Sequence, residues 1–326
     1  MGVLMMREAL NQALREEMAR DPDVFVMGED IGVFEGSYKV TAGLLKEFGE
    51  KRVIDTPIAE ELIVGSGIGA AMLGLRPVID IMTINFILLA MDQVVNHAAK
   101  MRYMFGGEVS VPLTIRTPGG GGQQLTAQHS QSLEVYLAHV PGLKVVAPAS
   151  PRDAKGMLKA AIRDNDPVMF IENISLYNLR GEVPDEEFLT PLNKADIKRP
   201  GRDISLIGHS KGTILALEAA RRLAEEDGVE AEVVDLRALR PLDRETIIES
   251  VKKTGRAVLI EEGWPTYGIT AEVSATIMEG AFDYLDAPVM RIGGKEVPMP
   301  YSKPLENAVI PTVDSVVAGV RNLFGR

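Results

Sequence analysis

Two stretches of the 326-residue chain carry side chains in arrangements suited to proton chemistry. The first is Asp55-Thr56-Pro57-Ile58-Ala59-Glu60-Glu61. Its order predicts a strand ending at Asp55, a turn at Pro57, and two acids in the first turn of a helix. A helix N-terminus favours acids there, which alone accounts for one or both. Glu60, however, is flanked by Ile58, Leu62 and Ile63. A carboxyl held among apolar groups has a raised pKa and suits proton transfer. The second stretch is Gly119 to Gly122, followed by Ala127-Gln128-His129-Ser130. These glycines lack the Lys-Ser/Thr of a phosphate loop, and read either as a mobile connection or as a loop approaching a ligand. A histidine closing such a loop at the end of a parallel strand stands where α/β folds bind ligands.

Two other motifs point elsewhere. Gly208-His209-Ser210-Lys211-Gly212 matches the G-x-S-x-G elbow of serine hydrolases, between a predicted strand and helix. That fold supplies its triad in the order Ser, acid, His, and no histidine follows Ser210. The plain reading is a turn with Ser210 capping the next helix. Gly65-x-Gly67-x-x-Ala70 matches a dinucleotide fingerprint. Its glycines fall inside a helical pattern, where each costs up to about 1 kcal/mol. Close packing of another backbone on this helix is the expected compensation, which makes it a natural interface element.

Composition narrows the chemistry. Acids number 46 and bases 35, a net charge of −11, which argues against nucleic acid as a partner. The absence of cysteine excludes disulfides, thiolate catalysis and cysteine-ligated metals. No apolar run approaches the roughly 20 residues of a membrane span, and no secretory core opens the chain, so the cytoplasm is expected.

Short apolar strands alternate with amphipathic helices. Helices are predicted over residues 6–20, 59–73, 91–104 and 152–163, and strands over 24–27, 53–55, 77–81, 112–116, 143–146 and 168–172. The pattern lapses over 178–202, then resumes to the end. It predicts two α/β domains with parallel sheets, over 1–180 and 203–326, joined by a linker over 181–202.

Beyond these features runs a long ordered series of strings: Asp55 to Glu61, Gly28-Glu29-Asp30, Gly36 to Thr41, Gly74-Leu75-Arg76-Pro77 and Ala127 to Ser130. It continues through Pro141 to Val146, Asp235-Leu236-Arg237, Arg240 to Asp243, Glu262 to Pro265, Leu285 to Pro288 and Val297 to Tyr301. Together these strings resemble the β subunits of the thiamine-diphosphate-dependent 2-oxo acid dehydrogenases. The resemblance spans nearly the whole chain and is nearest to the pyruvate type, with branched-chain and acetoin types sharing most strings.

The resemblance implies a transketolase-like pyrimidine-binding domain followed by a transketolase C-terminal-type domain. It implies an assembly of two α and two β chains, the α chain holding magnesium and the diphosphate, and acyl transfer to a lipoyl-bearing acyltransferase. By the same resemblance Glu60 activates the cofactor through its pyrimidine, with Ile58, Met82 and Phe86 packing on that ring. His129 assists the encounter with the lipoyl group, and Glu29 is linked to cofactor protonation. A potassium ion is implied at Leu113, Ala161, Ile162, Asp164 and Asp166, mostly through backbone carbonyls. A serine hydrolase using Ser210, or a docking scaffold without catalysis, are the readings from other classes.

Overall fold

The structure, a computed structural model, describes residues 2–325. The chain forms two compact units. The first comprises the residues up to Gly119 with Tyr136–Leu192, and the second Gly120–Val135 with everything from Asn193 onward.

In the first unit β1 (Gly2–Met5) pairs antiparallel with β8 (Arg180–Val183). The main sheet holds β2 (Val24–Gly28), β3 (Val53–Asp55), β4 (Arg76–Asp80), β5 (Thr114–Gly119), β6 (Lys144–Val146) and β7 (Val168–Asn173). They run parallel in the order β6-β7-β5-β4-β2-β3. Strands β2, β5 and β7 are buried along their whole length, as expected for a sheet covered on both faces. Because β3 and β4 lie on opposite sides of β2, the carboxyl ends of β2 and β4 flank a topological switch point, where α/β sheets open a crevice. Approach there is close: a Cβ on Gly28 would come within 2.5 Å of the Asp80 carbonyl oxygen.

The helix Glu60–Met72 follows β3 and lies on β4. Gly67 permits this, because a Cβ there would meet Ile79 Cδ1 at 2.8 Å. At Gly67 the close neighbour is thus a β4 side chain of the same chain, while Gly69 faces open space. Leu62, Leu73 and the preceding Ile58 are exposed.

The single helix expected over 91–104 is broken. After β4 come a 3-10 stretch Ile84–Ala90, a π-helical stretch Gln93–Ala98 and a short α-helix Met101–Met104. The Ala99 amide donates to the Val94 carbonyl at 3.1 Å, a five-residue step. The Ala99 carbonyl faces Gly142, where a Cβ would come within 2.0 Å, so the chain is interrupted where another turn abuts it.

The second unit contains β9 (Asp196–Arg199), β10 (Ile204–Gly208), β11 (Ala231–Asp235), the short β12 (Ala238–Arg240), β13 (Ala257–Ile260) and β14 (Met290–Ile292). Its sheet runs β14-β13-β10-β11-β9, parallel except for β9, with helix Lys211–Asp227 packed on helix Val313–Leu323. The switch point falls between β10 and β13, on opposite sides of which the order reverses. The stretch 181–202, expected as a linker, carries most of β8 and all of β9. Both are short antiparallel strands rich in charge, which hides their pattern from an apolar scan.

Candidate active site

In the first unit the chain leaves β2 at Gly28 and β3 at Asp55, which are paired. Asp55 accepts hydrogen bonds from the Gly32 and Val33 amides at 2.6 and 3.0 Å, tying the loop after β2 to the end of β3. Glu29 opens that loop, and Glu60 is the first residue of the helix after β3. Glu60 is 6% exposed, and among the described residues no hydrogen-bond donor is assigned to its carboxylate. Of the apolar residues beside it in sequence, Ile58 is 74% exposed and Leu62 62%, while Ile63 is buried. The expectation that all three surround Glu60 is therefore corrected for Ile58 and Leu62. A helix turns successive residues to different faces, and Glu60 and Ile63 point inward where Leu62 does not.

Burial raises the pKa of Glu29, and the negative charges of Glu60 and Asp30 raise it further. Two acids thus share one crevice. Glu29 and Met82 line a cavity of about 20 Å³ with Tyr38, Asp80, Arg116 and Tyr177, room for about one water. Below it lies a buried ionic network that sequence reasoning missed. Arg116 binds Glu172 through two nitrogens at 2.8 and 2.6 Å and also pairs with Asp80. The Tyr177 hydroxyl donates to Glu172 at 2.5 Å, and Tyr38 stacks on Tyr177. Burial opposes the Arg116 charge, yet the surrounding Asp80 and Glu172 push its pKa up. The available signal was a charged residue, Asp80, Arg116 and Glu172, in each of three strands that are largely buried. Met82 and Phe86 are both half-buried, on the segment leaving β4.

In the second unit, the Gly-rich loop is clamped by two distant acids. The Gly121 amide donates to Glu262 at 2.5 Å, and the Gly122 and Gln124 amides donate to Glu306, each at 2.9 Å. His129 is exposed on this loop, its amide donating to the Thr126 carbonyl at 3.3 Å. Glu134, at the end of the loop, is pushed up to about 8 by burial and then by Glu262 and Glu261.

Ser210 has φ 48° and ψ −126°, a strained conformation at the β10-to-helix turn, as an elbow requires. The expected side-chain cap is absent; only its carbonyl accepts, from the Thr213 amide at 3.1 Å. The adjacent His209 is buried, and desolvation lowers its pKa to about 4, which makes it a weak base. The hydrolase reading therefore has an elbow without an adjacent competent base.

At the implied potassium site, the Leu113 and Ala161 carbonyls accept from the Val168 and Asp164 amides, at 2.9 and 3.1 Å. The Ile162 and Asp164 carbonyls accept from Arg76 Nη1 at 3.0 and 3.1 Å. Lys144 pairs with Asp164 and Asp166, and Arg102 with Asp166. Each of these carbonyls keeps a second lone pair, and two of them already face the Arg76 guanidinium. Among the described residues no group of three or more acids or histidines is placed to hold a metal ion.

Comparison with known proteins defines the class. Residues 3–180 match the family model for the transketolase pyrimidine binding domain, and residues 193–316 that for the transketolase C-terminal domain. A split-gene transketolase, described as an inactive β4 tetramer, superposes with a TM-score of 0.79 at 24% identity, covering 99% of each chain. The transketolase of Leishmania mexicana superposes with a TM-score of 0.73 at 17% identity, over all of this chain and 46% of that one. These two share the fold. The pyruvate dehydrogenase E1 component subunit beta of Rhizobium meliloti is 50% identical over 98% of this chain and 70% of its own length. The mitochondrial counterpart from Bos taurus is 48% identical over 97% of this chain and 89% of its own. The chain belongs to the family of pyruvate dehydrogenase E1 β subunits.

Proposed function

We propose that this chain supplies the pyrimidine half of a thiamine diphosphate site and the histidine that serves acyl transfer, in the oxidative decarboxylation of pyruvate. The observation that carries this reading is Glu60: a buried carboxylate at a helix N-terminus, with no donor assigned from its own chain and with Glu29 as an acidic neighbour. Such a group fits a ring nitrogen that needs a proton partner. When bound, thiamine diphosphate supplies the nucleophilic carbon and the electron sink for loss of carbon dioxide.

Glu60 holds and shares a proton at the pyrimidine nitrogen. Met82 and Phe86, half-buried beside the switch point, offer apolar packing for the ring, and Ile58 offers an exposed apolar group before the helix. Glu29, its pKa raised by burial and by Glu60, holds its proton more tightly than a free carboxyl does in the same crevice. His129, exposed on its clamped loop, moves a proton as the acyl group passes to a lipoyl group.

The diphosphate and its magnesium fall to an α partner in a two-α two-β assembly, and the lipoyl group to an acyltransferase component. The pyruvate dehydrogenase relatives support this division. The exposed Ile58, Leu62 and Leu73 give the chain an apolar face for such a partner. Potassium, at the carbonyls of Leu113, Ala161, Ile162, Asp164 and Asp166, acts as a structural ion; a higher melting temperature in potassium than in sodium tests it. The cytoplasm is the proposed compartment, tested by fractionation, although several relatives are mitochondrial.

Co-expression with the α chain, followed by turnover of pyruvate against 3-methyl-2-oxobutanoate, tests the function. Preference for pyruvate supports it; preference for the branched acid overturns the pyruvate assignment.

A further inference from the structure

We infer that Glu306, with Glu262, is a positioning residue for the reaction: the two carboxylates fix the loop that carries His129. The inference rests on the proposed role of His129 in acyl transfer.

The loop cannot hold its own shape. Four successive glycines impose little, and Gly120, Gly122, Gln124 and Thr126 all take positive φ, two of them non-glycine residues in a region disfavoured for them. Strain of this kind persists only where surrounding contacts over-determine it. Those contacts come from elsewhere in the second unit. Glu306 is fully buried and receives two loop amides, while Lys303 binds both Glu306, at 2.9 Å, and the Gly122 carbonyl, at 2.7 Å. Glu262 stands just beyond β13, at the switch point of its sheet, and receives the Gly121 amide. A Cβ at Gly121 would come within 2.7 Å of Met299, so the loop is seated against the segment that precedes the helix Lys303–Val309. Bonds from amides to a carboxylate are the stronger kind, and three of them meet in this loop at two acids.

What the clamp sets is access. Ala127 and Gln131, on either side of His129, form one wall of an open groove of about 550 Å³; Trp264 and Val297 form the other. A displaced loop would move His129 and reshape that groove together. An acyl acceptor approaching His129 should therefore feel the loss of Glu306 more than a small 2-oxo acid does.

The test uses the chain assembled with its α partner. In Glu306→Ala, hydrogen exchange over residues 120–131 should accelerate by at least about tenfold, with a smaller gain in Glu306→Gln, which keeps one acceptor oxygen. The KM for a lipoylated acceptor domain should rise by more than the change in decarboxylation read with an artificial oxidant, and Glu306→Gln should recover part of it. Unchanged exchange in Glu306→Ala overturns the clamp. Faster exchange with an unaltered acceptor KM, while His129→Ala still impairs acyl transfer, overturns the positioning role and leaves the His129 reading standing. If His129→Ala impairs both half-reactions equally, the proposed function falls instead, and the exchange data still decide the clamp.

Discussion

Glu29 and Glu60 follow neighbouring parallel strands, and the negative charge of Glu60 raises the pKa of Glu29 beyond what burial does. A negative charge beside a carboxyl disfavours its ionisation, so Glu29 holds its proton more tightly than a free carboxyl does.

Glu60→Gln removes both the acid and its charge. Decarboxylation in the assembled enzyme should fall by far more than tenfold, that is by more than about 1.4 kcal/mol of barrier. Glu29 should then ionise at lower pH, because one cause of its elevation is gone. Single-turnover kinetics and carboxyl infrared titration read the two effects; a loss of under tenfold would show that Glu60 is not the activating acid.

His129→Ala should impair acyl transfer to the lipoyl group more than decarboxylation. The side chain is exposed on a loop, so the fold should survive. Comparing overall complex activity with turnover on an artificial oxidant checks this, and equal losses would exclude the role.

Ser210→Gly should leave activity unchanged and stabilise the chain by about 1 kcal/mol, since glycine relieves the positive φ. Thermal denaturation measures the gain. Labelling of the parent protein at Ser210 by a fluorophosphonate would contradict the first part and revive the hydrolase reading.

Glu134 predicts a pH effect of defined sign. Its carboxyl stays protonated in the fold up to about 8 but ionises near 4.3 in the unfolded chain. Between those values the unfolded state binds fewer protons, so this contribution to stability is full below about 4.3, declines as pH rises, and levels off above about 8. The melting temperature of Glu134→Gln should fall less between pH 5 and 8 than that of the parent chain, as calorimetry can establish.

The chain alone should not bind thiamine diphosphate tightly. It contains no Gly-Asp-Gly string and no phosphate loop with lysine, and its net charge is −11. Magnesium demands near-octahedral oxygen ligands, and among the described residues no group of three or more acids or histidines is placed to hold a metal ion. Calorimetry with and without the α chain decides it: micromolar binding by the chain alone would mean that the site is not shared.

The α/β alternation was readable because both sheets are covered on two faces, which leaves near-continuous apolar strands such as β2 and β10. The placement of Glu60 at the start of the helix after β3 was readable from Asp55 and Pro57, but its surroundings were not. Sequence neighbours such as Ile58 and Leu62 face solvent, and the acid that does influence Glu60's crevice, Glu29, lies a whole strand away. The clamp on the His129 loop was invisible for the same reason. Glu262 and Glu306 stand more than a hundred residues downstream, and nothing local distinguishes them from surface acids. The break after Ala98 follows from the Gly142 turn pressing on Ala99, a tertiary contact that helix periodicity does not encode.

Because Gly120–Val135 belongs to the second unit while the residues on both sides of it belong to the first, the polypeptide passes between units more than once. Severing the chain near 192 would not yield two self-sufficient pieces. The N-terminal fragment would carry a glycine-rich excursion whose anchoring carboxylates are on the other fragment, and the C-terminal fragment would keep Glu262 and Glu306 without the amides they receive. Any natural fission, circular permutation or modular exchange in this architecture has to move the excursion together with its anchors, so the heritable module is discontinuous in sequence.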